Sequence, residues 1–179
     1  MSASLKHGLR VAALLLLPFA ASHPGTGRAA DEQDGILPLS AFPREPIAIE
    51  TRAARRHLLE AWRASTPKMR AQGLMFVDDI RADQAMIFVY QQPEMVEMWM
   101  RNTIIPLDML FADAFGCVVK LHEHARPGSL ATIQADVPVA LVVELKAGTA
   151  RALGVGVGDR VTRPSAGWPR DPRPCARAP

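Results

Sequence analysis

Between Trp99 and Asp108 the chain reads Trp-Met-Arg-Asn-Thr-Ile-Ile-Pro-Leu-Asp, and Glu144 follows later between Val143 and Leu145. Arg101, Asn102, Thr103 and Asp108 thus set a cationic fork, an amide, a hydroxyl and a carboxylate between two apolar, strand-like segments. Buried polar groups must be paired, so these side chains hold either one another or a ligand. Leaving a buried carboxylate without a partner costs several kcal/mol, and Arg101 is the expected partner of Glu144 or Asp108. As a pocket floor the cluster would divide its work. Trp99 offers a stacking face, Arg101 a contact for an anion or carboxylate, and Asn102 orientation. Asn102 and Thr103 also suit the end of a strand and the turn into Pro106. The same network could equally hold strands in register and bind nothing. Asp108 or Glu144 could also serve a hydrolytic enzyme as general acid or base, which requires a carboxyl with a shifted pKa in a cleft.

Other reactive residues give weaker signals. Lys120, His122 and His124 alternate along one strand, as on a half-exposed polar face or as a pair of histidines sharing a ligand. Met95, Met98 and Met100 are soft donors that suit Cu(I), but Met also fills cores, and no dense repeat of such donors is present. No metal and no cofactor is expected. Gly154, Gly156 and Gly158 mimic a phosphate loop in spacing alone, because they follow a helical stretch instead of a strand. Cys117 and Cys175 are the only cysteines. They could pair in an exported chain, although Cys117, inside an apolar strand pattern, reads as a buried inert thiol.

The elements that must position these groups are mostly strands. His57 to Ala64, Ala85 to Tyr90, Glu94 to Met100, Leu107 to Ala112, Cys117 to His124, Val139 to Leu145 and Arg160 to Thr162 all carry strand patterns. Asp113 to Gly116 reads as the turn of a hairpin. Thr66 as N-cap, Pro67 in the first turn and Gly73 as stop mark one short helix. Thr149 to Leu153, closed by Gly154, marks another. The pattern predicts a mainly β fold (α+β with little helix), a small compact barrel or sandwich with two short helices.

Lys6, Arg10 and the apolar run Val11 to Ala21 read as a signal peptide over residues 1–30, cut after Ser22 or Ala29. The run falls short of the roughly 20 residues of a membrane helix. A periplasmic or secreted protein with no membrane span after processing is expected. Residues 31–46 read as a linker or flexible arm, 47–162 as a single β-rich domain, and 163–179, rich in Pro and Arg, as a disordered tail. The formal charge of +3 arises at the ends: between Asp31 and Thr162 there are 14 basic and 17 acidic residues. Nucleic-acid binding calls for a clustered basic face, so no nucleic acid is expected as partner.

Five motifs occur in order: Gly73-Leu74-Met75-Phe76, Met86-Ile87-Phe88, Trp99 to Thr103, Ile105 to Asp108, and Glu144 to Gly148; Leu153-Gly154-Val155 and Val157-Gly158-Asp159 follow. From Arg63 to Thr162 the chain resembles the bacterial and archaeal family known as domain of unknown function 192. The resemblance implies a compact, mainly β fold and brings no activity or catalytic residue. Ala85 stands where that family usually has Gly, and Arg101 where it usually has Lys. Arg keeps the charge and adds a planar, bidentate donor, which counts against a role for a reactive amine. The sequence thus points first to a binding module for a small polar or carboxylate-bearing ligand in the cell envelope, such as a glycan fragment, at Trp99, Arg101, Asn102, Thr103, Asp108 and Glu144. A hydrolytic enzyme and a structural or partner-binding module are the alternatives.

Overall fold

Nine strands and two α-helices are present among the residues described by the computed structural model, 35–170 and 173–175. The proposed signal peptide lies outside the described residues. The strands are β1 (Arg44–Glu50), β2 (Arg56–Ala64), β3 (Gln84–Glu94), β4 (Glu97–Met98), β5 (Leu107–Ala112), β6 (Val118–Ala125), β7 (Ile133–Gln134), β8 (Val139–Lys146) and β9 (Arg160–Thr162). Helix α1 spans Pro67–Gln72 and α2 Thr149–Leu153. Seven strands form one curled sheet, a half-barrel in the order β6-β5-β8-β3-β2-β1-β9, while β4 and β7 form a separate ribbon. The mainly β architecture expected from the pattern is the one observed.

The sheet has two buried faces, which explains why its central strands read as almost continuous apolar runs. Alternation sorts each strand between the two. Met86, Phe88, Met109, Phe111 and Val142 face one core, which also holds Phe42, Trp62 and Leu74. Ala85, Ile87, Leu110, Val143 and Leu145 face the other, with Ile47, Ile49 and Val161. Pairing is antiparallel throughout except between β2 and β3. That parallel pair requires a crossover, which contains α1. A βαβ unit therefore sits inside an otherwise antiparallel sheet.

Helix α1 is bounded as its residues dictate. Thr66 Oγ1 accepts from the Met69 N–H at 3.2 Å, Pro67 occupies the first turn, and Gly73 ends the helix at φ 53°, ψ −134°. That backbone combination suits a residue without a Cβ.

Four features differ from the sequence reading. Residues 36–46 are not a flexible arm: Phe42 is buried, Leu37 and Leu39 pack on the first core, and β1 begins at Arg44. Gln72 clamps Leu37 from both sides, accepting from its N–H and donating to its carbonyl, each at 2.7 Å. The stretch Glu94 to Met100 is broken: β3 runs on to Glu94, and only Glu97 and Met98 form a further strand. The described part of the tail is ordered by specific partners. Arg163 is buried and its guanidinium grips both oxygens of Glu45, with Nη2 at 3.1 Å from Oε2. Cys117, read as an inert thiol, is bonded to Cys175 across a separation of 58 residues. Composition argued for disorder because it counts apolar surface; these two cross-links are long-range and leave no local signature.

The same region draws the edges of the half-barrel together. Cys117 bridges Arg160, the Val118 N–H donates to the Asp159 carbonyl, and the Gly158 N–H donates to the Val118 carbonyl, both at 2.8 Å. No helix among the described residues is long and apolar enough to cross a membrane.

Candidate functional site

Glu144 lies on β8, directly between β3 and β5: it is paired in register with Met86 on one side and Met109 on the other. Strand alternation therefore turns its carboxyl into the first core among apolar neighbours. The side chain is 4% exposed, and Oε2 is buried without a hydrogen-bond partner. The space it faces is a cavity of about 200 Å³ whose wall includes Gly73, Phe88, Tyr90, Trp99, Arg101 and Glu144.

Three elements build that wall around the strand. The end of α1 supplies Arg70 and Gly73. Strand β3 supplies Phe88 and Tyr90. The turn after β4 supplies Trp99, Arg101 and Thr103. The turn is held by backbone hydrogen bonds: Thr103 N–H donates to the Met100 carbonyl at 3.0 Å within it, and Met100 N–H donates to the carbonyl of the distant Ser129 at 3.0 Å. It is tied to the segment after α1 by the Phe76 N–H, which donates to the Asn102 carbonyl at 2.9 Å. Gly73 lies flat against the floor. A Cβ there would stand 2.9 Å from Phe88 Cζ and 3.8 Å from Glu144 Oε2, filling space beside the carboxyl.

The electrostatics follow from burial. Desolvation pushes the Glu144 carboxyl from 4.5 up to about 8, so it is mostly uncharged at neutral pH. Tyr90 is pushed up to about 12, first by burial, with Arg70 opposing the shift and the charges of Glu94 and Glu144 adding to it. Arg70 stacks over the Tyr90 ring at 5.1 Å from its centroid and donates through Nη1 to the carbonyls of Ser65 and Val89 at 3.0 and 3.3 Å. It is therefore a cation held in place at the mouth. The site is an apolar hollow with one protonatable group at its base and cations at its rim. Such a base can donate a proton in a hydrogen bond, accept one, or ionise against a cation.

Of the six residues singled out from sequence, Trp99, Arg101, Thr103 and Glu144 share this cavity. Trp99 is half exposed at 50%, Arg101 is exposed, and Thr103 is buried. Asn102 is absent from the wall. It adopts φ 57°, and its amide nitrogen lies 4.0 Å from Met75 Sδ, so it shapes the turn. Asp108 is a correction. It pairs in register with Leu145, on the opposite face of the sheet from Glu144. Its Oδ1 accepts from the His124 N–H and its Oδ2 from the Ala150 N–H, both at 3.0 Å. The two acids cannot converge on Arg101, because adjacent register positions send their side chains to opposite faces. The expected Arg101 partnership is also not made at Oε2 of Glu144.

The histidines part for a related reason. The register of β5 and β6 slips between Leu107 and Met109, with His124 at φ 54° in the bulge. His122 pairs with Met109 on the Glu144 side, whereas His124 Nδ1 lies 3.8 Å from Asp108 Oδ1 on the other. They do not share a face. No group of three or more His, Cys, Asp or Glu able to hold a metal occurs among the described residues. Arg70, Gly73, Phe88 and Tyr90 are among the wall residues that sequence reasoning missed. Gly73 had been read as a helix stop and as part of a family motif, and nothing local ties α1 to a carboxyl on β8.

The comparisons with known proteins agree with this fold. A crystal structure from Sinorhizobium meliloti 1021, provisionally labelled a transcription regulator, is 41% identical, with a TM-score of 0.67 over 69% of this chain and 95% of that one. A protein of unknown function from Novosphingobium aromaticivorans DSM 12444 is 32% identical, with a TM-score of 0.67 over 71% and 90%. Among curated proteins none matches the chain. Residues 48–163 match the family described as an uncharacterised ACR, domain of unknown function 192. The stretch from the first strand to the buried Arg163 thus carries both the fold and the cavity, and by it the chain belongs to the domain of unknown function 192 family.

Proposed function

We propose that the domain is a binding module for a small polar or carboxylate-bearing ligand, exported to the cell envelope and holding that ligand in the cavity above Glu144. The observation that carries this reading is the unpartnered Oε2 at the base of the hollow. Buried polar atoms are nearly always paired, and a ligand supplies what the protein omits. The apolar walls and the few convergent polar groups have the composition of a small-molecule site. A volume of about 200 Å³ lies below the usual 300–1,000 Å³ range and restricts the ligand to a small one. Trp99 gives it a stacking face, and Arg70 and Arg101 give an anionic group a counter-charge.

A thermal-shift screen of the purified protein against small carboxylates, amines and sugars tests this. A true ligand raises the melting temperature in a concentration-dependent way, and the shift disappears in Glu144→Gln. Absence of any such ligand would remove the reading.

A second reading draws on one specific feature. A carboxyl raised to about 8 is in the protonation state a general acid needs at neutral pH. A hydrolytic role would then rest on Glu144 alone, since both oxygens of Asp108 are engaged by backbone donors. Turnover that survives Glu144→Gln would exclude it.

A further inference from the structure

The polar atom at the floor of the cavity is an acceptor with nothing to accept from. Oε2 of Glu144 is buried and finds no donor among the described residues. The residues in register with it on either side are Met86 and Met109. Beside it the wall is the end of α1, Arg70 to Gly73, and a helix end carries carbonyls without intrahelical donors. The inner wall also includes the rings of Phe88 and Trp99. Acceptors and ring faces thus line the hollow. Resting on the reading of this cavity as a ligand site, we infer that its ligand is a small alkylammonium cation, with its head group against Glu144 and its alkyl part along the apolar wall.

Three ligand chemistries compete at such a floor. A carboxylate would bring a second acid beside the first, and two acids in contact must share a proton. An alcohol would satisfy Oε2 with a single neutral hydrogen bond. An ammonium brings several donors and no acceptor, and its charge favours ionisation of a carboxyl at close range. Hydrogen bonds between ionised groups are roughly twice as strong as neutral ones, and opposite charges attract more strongly where water is excluded. Desolvation of both ions opposes binding, and the ring faces offset part of it by attracting the cation. Gly73 leaves room for the head group. The position its Cβ would take lies 2.9 Å from Phe88 Cζ and 3.8 Å from Glu144 Oε2, so ring and carboxyl flank the same small space. Size narrows the class: about 200 Å³, at roughly 30 Å³ per water, equals about seven water volumes. That is room for molecules from methylammonium to butylammonium.

The charged and titratable groups on the surrounding elements are Arg70 on α1, Tyr90 and Glu94 on β3, Glu97 on β4 and Arg101 in the following turn. Arg70 is committed to the carbonyls of Ser65 and Val89 and to the Tyr90 ring. Arg101 has a partner of its own. Neither holds the Glu144 carboxyl down; burial raises it to about 8. Binding of an ammonium to the ionised carboxyl must therefore expel the proton that Glu144 carries when the cavity holds no amine. Affinity should rise with pH until that proton is gone.

Calorimetric titration of the purified protein with shape-matched probes tests the assignment. The amines are propylamine and butylamine, the alcohols propanol and butanol, and the acids propionate and butyrate. At pH 8 the amines should bind at least tenfold more tightly than the alcohols or the acids of the same length. Amine affinity should rise several tens of fold between pH 6 and pH 8, with proton release, while alcohol affinity does not rise. Glu144→Gln keeps the size of the side chain and removes its charge, and should bring the amines down to the level of the alcohols. If that variant does not fold, the pH profile and the proton release of the wild type decide. Should the alcohols or the acids bind as tightly as the amines, or amine affinity fail to rise with pH, the cation assignment is overturned while the cavity stands as a ligand site. Binding of none of the probes overturns both.

Discussion

Two carboxylates occupy neighbouring positions of the β5–β8 ladder and meet opposite fates. Glu144 pairs with Met109, and Asp108 pairs with Leu145. Both are buried: Asp108 is 0% exposed and Glu144 4%. Asp108 spends its oxygens on two backbone donors, one in the β6 bulge and one in the first turn of α2. It joins three elements and, fully buried, presents no surface to a ligand. Glu144 lies among apolar side chains with Oε2 unmatched and a hollow in front of it. Burial alone therefore does not mark a site. What separates a structural acid from a candidate functional one is whether the protein itself satisfies it.

The largest effect that would break this contrast lies on the structural side. Removing the acceptor in Asp108→Ala strands two backbone N–H groups, each costing about 1–3 kcal/mol, for a loss of about 2–6 kcal/mol. Urea unfolding measures it, and a loss below about 1 kcal/mol would show that Asp108 is not the joint described.

The next effect is a pH dependence assigned to Glu144. Its carboxyl is raised from 4.5 in the unfolded chain to about 8 in the fold. Between these values the folded state keeps a proton that the unfolded chain has released. Stability from this group is fully present below about pH 4.5 and is lost as pH rises toward 8. The slope is about 1.4 kcal/mol per pH unit. Denaturation at several pH values should show it in the wild type, and Glu144→Gln should flatten it. Equal slopes in both proteins would place the acid in a wetter setting than its burial indicates.

Gly73→Ala sharpens the contrast from the side of the cavity. The new Cβ meets Phe88 at 2.9 Å on a backbone at φ 53°, a strain of about 1–3 kcal/mol. It should also crowd the ligand beside Glu144, so affinity falls further than stability accounts for. The smallest stability effect belongs to Trp99→Ala. The ring is half exposed, so unfolding should shift by no more than about 0.5 kcal/mol. Loss of a stacking face worth about 0.5–1.5 kcal/mol should still weaken ligand binding several-fold by calorimetry.

Much of the fold was legible because it rests on local rules. Apolar alternation marked β2, β5, β6 and β8. The Thr66-Pro67 start and Gly73 stop marked α1, and the Asp113–Gly116 turn marked the β5–β6 hairpin. Four of the six selected residues reach one cavity because Trp99, Arg101 and Thr103 lie on a short turn and move together. Asp108 does not join them, because its side chain lies on the other face of the sheet. Which face Glu144 would share depended on the β5–β8 register, and register is a pairing between distant segments. The histidines were misplaced by a one-residue bulge, which flips every later side chain and has no local signature here.

By itself the sequence determined the strand periodicity, the helix caps, the family and the presence of polar side chains too dense for a simple core. All of these follow from interactions within a few residues, or from motifs in a fixed order. Only the tertiary structure decided which acid was satisfied, that Gly73 opens space at the carboxyl, and that Cys117 and Cys175 close the tail onto the sheet. Those outcomes depend on segments far apart in sequence coming together, and solvation of a carboxyl is a property of everything packed around it.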